Sequence, residues 1–411
     1  MYWLYNISIL IYGLLINIVA IFNSKAKLFV AGRKDIFSQI KSKINSSQRP
    51  VWFHFASLGE FEQGRPVLEK LKSIDPQQKI IVTFFSPSGY EIRKNYALAD
   101  GIFYLPLDTY HHAKKFIELV NPRMAIFTKY EFWPNYFKVL AKEQIPLYII
   151  SGIFRKNQIF FKWYGGFYKN VLNAVHYFFV QNNESLDLLK GIGFENVDVS
   201  GDTRFDRVFE NVQAARGLPL IASFCGSNSI LVAGSTWPAD EKLLVDLAVK
   251  NPSWKLIIAP HEVHASHINE IEQLFPSAIR FSKLGQLFEN KKDKKDIVSN
   301  AQILIIDNIG MLSSLYQYGK IAYIGGGFGA GIHNTLEAAA FGLPIIFGPN
   351  YEKFQEAKDL IEIDAAKSIN GAEELIRAFD YFNRHHDKGA IASSYVSNKK
   401  GATATIVAKI S

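Results

Sequence analysis

Cysteine is almost absent from this sequence, which has only Cys225 among its 411 residues. An internal disulfide is therefore excluded, and so is a metal site built from several cysteines. The chain also lacks a GxxxxGK[ST] phosphate loop, a GxGxxG loop with a following dinucleotide acid, and an HExxH zinc motif. His261, His264 and His267 stand close together, but they fall on a loop and a helix start with only Glu262 nearby. We therefore expect no metal site.

Charge is absent from the first 22 residues, MYWLYNISILIYGLLINIVAIF. This length is close to the ~20 residues that cross a bilayer. The positive residues come after the apolar run, at Lys25, Lys27, Arg33 and Lys34, which would place the rest of the chain on the cytoplasmic side of an inner membrane. A cleaved signal peptide fits this order poorly. We predict membrane association, with the segment either spanning the bilayer or lying in its surface. Polar residues within the run leave a buried core helix as the alternative.

The formal net charge of +8 indicates an anionic partner: nucleic acid, an anionic lipid or a phosphorylated substrate. Nucleic acid is the weakest of these, because the sequence has no basic helix and no repeated basic and aromatic patch. The densest basic run, KKDKKD at 291–296, is half neutralised and is typical of a solvated loop. We expect no nucleic-acid partner.

The rest of the chain alternates runs of β-branched and aromatic residues with helical patterns. One series covers VWFHFA, KIIVTFF, GIFYLPL, MAIFT, PLYIIS, HYFFVQ and VDVSGD (51–202), and a second covers ILVAGST, WKLIIAP, ILIID, IAYIGG and PIIFGP (230–349). Such runs between helices are typical of a parallel sheet covered on both faces. We predict an α/β fold with two doubly wound Rossmann-like domains facing across a cleft, where the carboxyl ends of both sheets meet.

The same pattern divides the chain into five parts. The first helix after the strand VWFHFA is expected at 64–72. Residues 1–34 form the anchor and its basic flank, 35–210 the N-terminal domain, and 211–228 a linker. Residues 229–371 form the C-terminal domain, and 372–411 form helices that could cross back to the first domain.

The glycine-rich run from Gly325 to Pro349 follows a predicted strand and leads into the helical segment TLEAAAF. Consecutive glycines let a backbone turn sharply and approach a ligand. A helix beginning near His333 and Asn334 would direct its free N–H groups at the same space, which suits a phosphate. Glu337, one turn further in, could accept hydrogen bonds from a ribose. The alternative is a tight strand-to-helix turn without a ligand.

Three charged residues of the first half follow strand ends. Glu60 could take a proton from an attacking hydroxyl, although an acid at a helix start is also common. Glu131 lies in the aromatic turn KYEFWPN, which could serve packing alone. Arg204, in GDTRFD, could neutralise a phosphate, or it could form a salt bridge with Asp202 or Asp206.

Three further loops follow predicted strands of the second half: GST (234–236), PHEVH (260–264) and DNIGML (307–312). Each precedes a helix, so all three could face one nucleotide that lies across the sheet.

Taken in order, these motifs resemble the 3-deoxy-D-manno-octulosonic acid (Kdo) transferase family. The resemblance runs from the apolar N-terminus through FASLGE, EFWPN, SGDTRFD, AGST, APHE, DNIGML and GIHNTLEAAAFGLPIIFGPNYEKF. It implies a membrane-anchored GT-B glycosyltransferase that takes Kdo from CMP-Kdo, adds it to a lipid A precursor, and inverts the anomeric centre without a metal or another cofactor. The first domain would then bind the acceptor lipid and the second the donor.

The resemblance also implies roles for particular residues. Glu60 matches the proton acceptor, and Glu131 and Arg204 match residues that stabilise the transition state. The implied CMP site is formed by Ser235, Pro260, His261, Ile309, Gly310, Met311, Gly326, Gly327, Asn334, Thr335, Leu336 and Glu337. Two positions depart from the family pattern, because His261 replaces an arginine and Met311 replaces a glutamate. A neutral imidazole holds a phosphate less strongly than a guanidinium.

The sequence leaves other functions open. One is a related GT-B enzyme that uses a UDP-sugar, either a glycosyltransferase or a sugar-nucleotide 2-epimerase. Another is a nucleotide- or lipid-binding module without activity, which the acids at two strand ends disfavour.

Overall fold

The protein is described from a computed structural model that covers residues 1–289 and 300–411. The lysine-rich run predicted as a loop at 291–296 lies outside the described residues. Within them, the chain divides into two compact units. The first comprises Met1–Arg207 and Lys400–Ser411, and the second comprises Val208–Lys399.

The first unit is built on a seven-stranded parallel sheet in the order β3-β2-β1-β4-β5-β6-β7. Its strands are β1 Val51–Phe55, β2 Ile80–Phe84, β3 Gly101–Tyr104, β4 Met124–Thr128, β5 Leu147–Gly152, β6 Tyr177–Val180 and β7 Val197–Val199. Its helices are α1 Tyr2–Val19, α2 Ser24–Ala31, α3 Ile36–Lys43, α4 Leu58–Ile74, α5 Pro87–Arg93, α6 Tyr110–Val120, α7 Pro134–Lys142, α8 Gly166–Leu172 and α9 Asn183–Gly191. Helix α10, Thr203–Gln213, runs across the boundary between the units.

The second unit is built on another seven-stranded parallel sheet, in the order β10-β11-β9-β8-β12-β13-β14. Its strands are β8 Ser229–Thr236, β9 Trp254–Pro260, β10 Ile279–Arg280, β11 Ile303–Ile305, β12 Ile321–Ile324, β13 Ile345–Phe347 and β14 Ala366–Ser368. Its described helices are α11 Pro219–Cys225, α12 Pro238–Lys250, α13 Ala265–Leu274, α14 Phe281–Glu289, α15 Leu312–Leu315, α16 Leu336–Ala340, α17 Gln355–Glu362, α18 Ala372–Arg384 and α19 Asp387–Asn398. The last helix, α20 Ala402–Ile410, belongs to the first unit.

The fold class predicted from the alternating runs is confirmed, since both units carry parallel sheets between helices. The central strands are buried on both faces, which explains why they are continuous apolar runs. Helix α20 packs its buried residues Ile406, Val407 and Ile410 against one face of the first sheet. Helices α6 and α7 cover the other face.

The element boundaries differ from the prediction in three places. Helix α4 begins at Leu58, six positions before the predicted start at Gly64, because Ser57 is already its N-cap. Strands β10 and β14 were not predicted, because β10 has only two residues and β14, with the sequence AKS, has no β-branched or aromatic residue. Residues Pro219–Cys225, within the predicted linker, form helix α11.

Helix α1 lies on the first unit with one face. Tyr2 and Tyr5 donate their hydroxyls to Asn135 Oδ1 (2.9 Å) and Asp108 Oδ2 (2.6 Å), and Asn135 is fully buried. The amide of Asn135 in turn donates to Asn6 Oδ1 (3.1 Å). By length and composition, α1 could cross a membrane, with a mean hydropathy of 1.6. The opposite face carries large apolar side chains that are exposed: Trp3, Leu4, Leu10, Ile11, Leu14, Leu15, Ile18 and Val19.

Arg33, expected in the basic flank of the apolar segment, is instead bound within the first unit. Its guanidinium donates to the carbonyl oxygens of Leu105 (2.8 Å) and Phe85 (2.7 Å) and lies 3.5 Å from the ring centre of Phe29. Burial lowers the pKa of Arg33 to about 10. Arg33 therefore joins the end of α2 to the carboxyl ends of β2 and β3. The surface charge after α1 comes from Lys25, Lys27 and Lys34.

Candidate active site

Each sheet reverses its strand order at one point, and the predicted site residues follow the strands at these points. In the first unit the switch lies between β1 and β4, which lead to Glu60 and Glu131 respectively. In the second unit it lies between β8 and β12, which lead to Ser235 and to the glycine run. Open parallel sheets bind ligands at such points, beyond the carboxyl ends of the strands.

Glu60 lies in the first turn of α4, directly after β1. Its Oε2 accepts a hydrogen bond from the backbone N–H of Ala56 (2.5 Å), and the backbone of Ser57 is a second donor. Burial, and then the negative charge of Glu131, raise the pKa of Glu60 to about 7, against the opposing effects of both donors and Lys129. A carboxylate that exchanges its proton near neutral pH suits a general base.

Glu131 lies between β4 and α7, and its side chain is 14% exposed. Its Oε2 accepts a hydrogen bond from the indole N–H of Trp133 (2.9 Å) and lies 3.4 Å from Nε2 of His54. Pro134 occupies the first turn of α7, as predicted. The neighbouring Phe132 packs against the core, so the turn serves both packing and the placement of a carboxylate.

Arg204, at the start of α10, forms an ion pair with Asp202, one of the two alternatives considered for it. Its Nε and Nη2 lie 2.8 and 2.7 Å from Asp202 Oδ2. Burial acts to raise the pKa of Asp202, but the Arg204 guanidinium and its hydrogen bonds outweigh it and lower the pKa. The other alternative, Asp206, accepts the backbone N–H groups of Gly401 and Thr403 instead. Arg204 is thus a cation held by a buried carboxylate.

Lys129 is a candidate site residue that sequence reasoning missed. It directly follows β4 with a positive φ of 58°, and its charge acts to lower the pKa of both Glu60 and Asp202. It therefore belongs to the same charged cluster as the three predicted residues. Nothing in the sequence indicates that a lysine would take this backbone conformation; its position at a strand end was the available signal.

The first three glycines of the run, at 325–327, allow neighbouring segments of backbone to pack closely against them. A Cβ on Gly325 would lie 2.3 Å from the carbonyl oxygen of Ser235, and one on Gly327 would lie 2.6 Å from the Cα of Gly348. Gly326 has a φ of 91° and donates its N–H to the buried carboxylate of Asp240 (3.0 Å). These contacts alone account for glycine at three consecutive positions. A phosphate at this loop therefore stays a prediction.

The helix after the glycine run begins later than predicted. Its N-cap is Thr335 and its first residue Leu336, so the predicted start near His333 and Asn334 is wrong. The cause is local: the side-chain oxygen of Asn334 accepts the N–H of Leu336 (3.0 Å) and its amide reaches Glu337 (3.2 Å). The first N–H of the helix, that of Leu336, is therefore already hydrogen-bonded to Asn334 within the protein. The helix itself has only five residues.

Three aromatic rings bring the loops after β8, β9 and β12 together. His261 stacks on His333 with ring centres 4.3 Å apart and on Trp237 with ring centres 4.9 Å apart. The indole of Trp237 donates to Nε2 of His333 (3.1 Å), which leaves the proton of that imidazole on Nδ1. Burial, and then the charge of His261, lower the pKa of His333 to about 4. Next to this stack, Phe328, Asp240 and the glycine loop line a cavity of about 370 Å³.

The remaining predicted donor residues lie along the same edge of the second sheet. Ser235 has a positive φ of 54° near the end of β8, and Pro260 ends β9. Ile309 is 85% exposed, and Gly310 next to it has a φ of 95°. The thioether of Met311 contacts Asn308 (3.0 Å). The loop after β11 thus offers backbone groups and an open apolar side chain, whereas the carboxylate of Asp307 in the same loop is bound to Ser282 (2.9 Å).

The three histidines near the end of β9 turn to different partners. His264 pairs with Glu262 (3.1 Å), whereas His267 is buried against Glu241 (2.9 Å). Burial raises the pKa of Glu241. Over residues 1–289 and 300–411, no group of three or more His, Cys, Asp or Glu side chains is placed to hold a metal.

The comparisons with known proteins agree with this architecture. Two units, each built on a seven-stranded parallel sheet between helices, form a fold of the GT-B type. Residues 32–207 match the family described as 3-Deoxy-D-manno-octulosonic-acid transferase (kdotransferase). The matched residues make up most of the first unit, and the resemblance to the Kdo transferase family that the motifs indicate is confirmed.

Individual relatives extend the similarity over most of the chain. A 3-deoxy-D-manno-octulosonic acid transferase of Aquifex aeolicus is 27% identical over 344 residues, which are 82% of this chain and 86% of that protein. One of Rickettsia bellii is 26% identical over 334 residues, 80% of this chain and 78% of the relative. The similarity therefore includes the second unit, which the family match does not cover.

Solved structures share the fold at low identity. A UDP-N-acetylglucosamine 2-epimerase has a TM-score of 0.60 at 13% identity, with 88% of this chain and 95% of that chain covered. MurG of Acinetobacter baumannii has a TM-score of 0.53 at 14% identity, with 88% and 99% covered. These likenesses show the architecture alone.

Proposed function

We propose that the protein is an inverting glycosyltransferase that moves Kdo from CMP-Kdo to a lipid A precursor in lipopolysaccharide synthesis, without a metal. The observation that carries this proposal is the pair of Glu60 and Glu131 at the switch point of the unit that matches the Kdo transferase family. A partly buried carboxyl with a pKa of about 7 suits the removal of a proton from a poorly nucleophilic lipid hydroxyl.

In the proposed reaction, an acceptor hydroxyl oxygen attacks the anomeric carbon of Kdo and its proton passes to Glu60. The bond between that carbon and the CMP phosphate oxygen breaks, and the electron pair leaves with CMP. Glu131 would stabilise the positive charge that develops on the sugar, and Arg204 or Lys129 would stabilise negative charge nearby. Every atom of the step comes from the two substrates and one carboxylate.

The CMP site would lie along the carboxyl edge of the second sheet. The rings of Trp237, His261 and His333 bring three of its loops together, and the exposed turn at Ile309 and Gly310 offers backbone groups for a base or ribose. The low pKa of His333 keeps this imidazole neutral at physiological pH, so it would contribute hydrogen bonding and stacking, not charge.

Membrane attachment would come from α1, at the inner membrane on its cytoplasmic side. The helix is fixed to the first unit by Tyr2, Tyr5 and Asn6, while its outer face is almost wholly apolar. A helix that is held to the protein along one face and is apolar along the other can lie in the plane of the membrane interface. The exposed Trp163 and Tyr164, which precede α8, are residue types common at that depth.

The direct test is mass spectrometry of purified protein incubated with a lipid A precursor and CMP-Kdo. Addition of Kdo to the lipid supports the proposal, and parallel reactions with UDP-sugars test the alternative donors. No product with CMP-Kdo, together with turnover of a UDP-sugar, would refute it.

Transfer should depend on pH through Glu60. Because the base must be ionised and its pKa lies near 7, kcat/KM should rise with pH through that region and then level off. At pH 5, about two units below the pKa, the rate should be roughly 100-fold below the plateau. A rate that stays flat between pH 5 and pH 8 would show that Glu60 is not the base.

Replacing His261 by arginine should tighten CMP binding about tenfold, or ~1.4 kcal/mol, measured by calorimetry. A guanidinium can keep the stacking on Trp237 and His333 while adding a permanent charge for the phosphate. The matched control is His264→Arg, which adds the same charge three positions away on an exposed side chain. An equal gain in both variants would mean that general charge, not a phosphate contact at 261, is responsible.

A further inference from the structure

A row of polar side chains crosses the otherwise apolar core of the first unit and ends at Glu131. Trp52 and His54 project from the same face of β1, and Thr83 is the register partner of His54 on β2. All three side chains are fully buried. A lone histidine in an apolar strand costs free energy unless its ring nitrogens are hydrogen-bonded. The partners of the two ring nitrogens therefore indicate which nitrogen carries the proton.

The donors and acceptors in this row can be assigned in order. The indole of Trp52 can only donate, and it donates to Thr83 Oγ1 (2.8 Å). The hydroxyl proton of Thr83 has two acceptors within reach, Nδ1 of His54 at 2.9 Å and the carbonyl of Phe53 at 3.4 Å. The shorter contact favours donation to Nδ1. A neutral His54 then carries its proton on Nε2.

The assigned proton of His54 is directed at the candidate site. Nε2 lies 3.4 Å from Oε2 of Glu131, the same oxygen that accepts the indole N–H of Trp133 at 2.9 Å. Around the imidazole, the contacts of the described residues come from Thr83 and from the rings of Phe127 and Trp133. Glu131 is the titratable group against it. Two N–H donors from different elements thus fix one carboxylate oxygen.

We propose that His54, held in its Nε2-protonated form by Thr83, is a positioning residue for transfer that fixes the Glu131 carboxylate opposite Glu60. The proposal rests on the proposed function for its kinetic consequence. His54 touches no substrate in this scheme and acts through Glu131. The electrostatic effect of Glu131 on Glu60 supports the proximity of the two carboxyls that this arrangement requires.

Kinetics separates positioning from a merely structural role. We expect His54→Leu, which removes the donor, to lower kcat by on the order of 10²-fold with little change in the donor KM. His54→Gln can place an amide N–H near the Nε2 position and should recover most of kcat. Equal losses in both variants, or a wild-type kcat in His54→Leu, would overturn the proposal. Circular dichroism and thermal melts of both variants show whether each is folded.

A second measurement does not depend on activity. In ¹⁵N-histidine-labelled protein, the His54 signals are identified by their loss in His54→Gln. We expect a neutral Nε2–H form in wild type and in Thr83→Ser, and loss of that form in Thr83→Val. A neutral Nδ1–H form or an imidazolium in wild type would refute the assignment. If no Kdo transfer is found with any variant, the proposed function fails while this spectrum still decides the state of His54.

Discussion

Glu60→Gln should remove nearly all transfer activity and at the same time make the folded protein more stable above pH 7. The amide cannot take a proton from the acceptor hydroxyl, and general-base catalysis contributes typically 10²–10⁴-fold, so kcat should fall by about that factor. The substitution keeps the shape of the side chain and an oxygen that can accept the N–H of Ala56. Steady-state rates with CMP-Kdo and the lipid acceptor test the kinetic half.

The gain in stability follows from the sign of the pKa change. Because the pKa of Glu60 is raised from 4.5 to about 7 on folding, the folded state binds more protons than the unfolded state between these values. Stability therefore falls as pH rises through this window, and the full cost, on the order of 1–3 kcal/mol, is present above pH 7. Glutamine has no charge to bury, so urea unfolding at pH 8 should show a gain of this order that vanishes near pH 4.

Glu62→Gln is the matched control for both the loss of activity and the gain in stability. Glu62 is two residues further along α4 and forms ion pairs with Arg65 (3.4 Å) and Arg93 (2.5 Å), away from Glu131. We expect transfer near the wild-type rate and no gain in stability at pH 8. A Glu60→Gln enzyme that retains turnover would remove the proposed base, whatever its stability.

The pattern of apolar runs was sufficient to predict the fold because fully buried parallel strands leave a continuous signal. MAIFT and WKLIIAP coincide with β4 and β9 from end to end. Strand β10 has only two residues and β14 has no β-branched or aromatic residue, so both exist through pairing with their neighbours. Tertiary contacts, not local preference, make those strands.

The sequence predicted the site less completely than the fold, because the order of motifs does not show which side chains are partners. Glu60 and Glu131 could be placed at strand ends, but that the charge of Glu131 acts on Glu60 follows only from the adjacency of β1 and β4 in the sheet. The sequence left Arg204 between a ligand contact and an ion pair, and only the fold shows Asp202 beside it. The three glycines were interpreted as space for a ligand, whereas neighbouring backbone from β8 and from the loop after β13 fills that space.

The N-terminal helix gives the second large expected effect. Leu10→Glu together with Leu14→Glu should abolish binding to vesicles containing anionic lipid, while the protein stays folded. Both side chains are exposed, at 63% and 65%, so the fold does not need them. Each buried leucine is worth about 1.5–3 kcal/mol, so the double variant should weaken partitioning by on the order of 10²–10⁴-fold. Ile74→Glu changes a similarly exposed aliphatic side chain on α4 and should leave binding intact.

Labelling distinguishes a helix in the interface from one that crosses the bilayer. In a Cys225→Ser background, a cysteine placed ahead of Met1 and one at Asn23 mark the two ends of the apolar segment. An interfacial helix leaves both ends accessible to an impermeant maleimide from the same side of inner-membrane vesicles. A spanning helix would expose them on opposite sides, and it would have to withdraw Tyr2 and Tyr5 from Asn135 and Asp108. Since leaving a buried polar group without its partner costs about 1–3 kcal/mol, these hydrogen bonds favour the interfacial arrangement, and labelling from opposite sides would refute it.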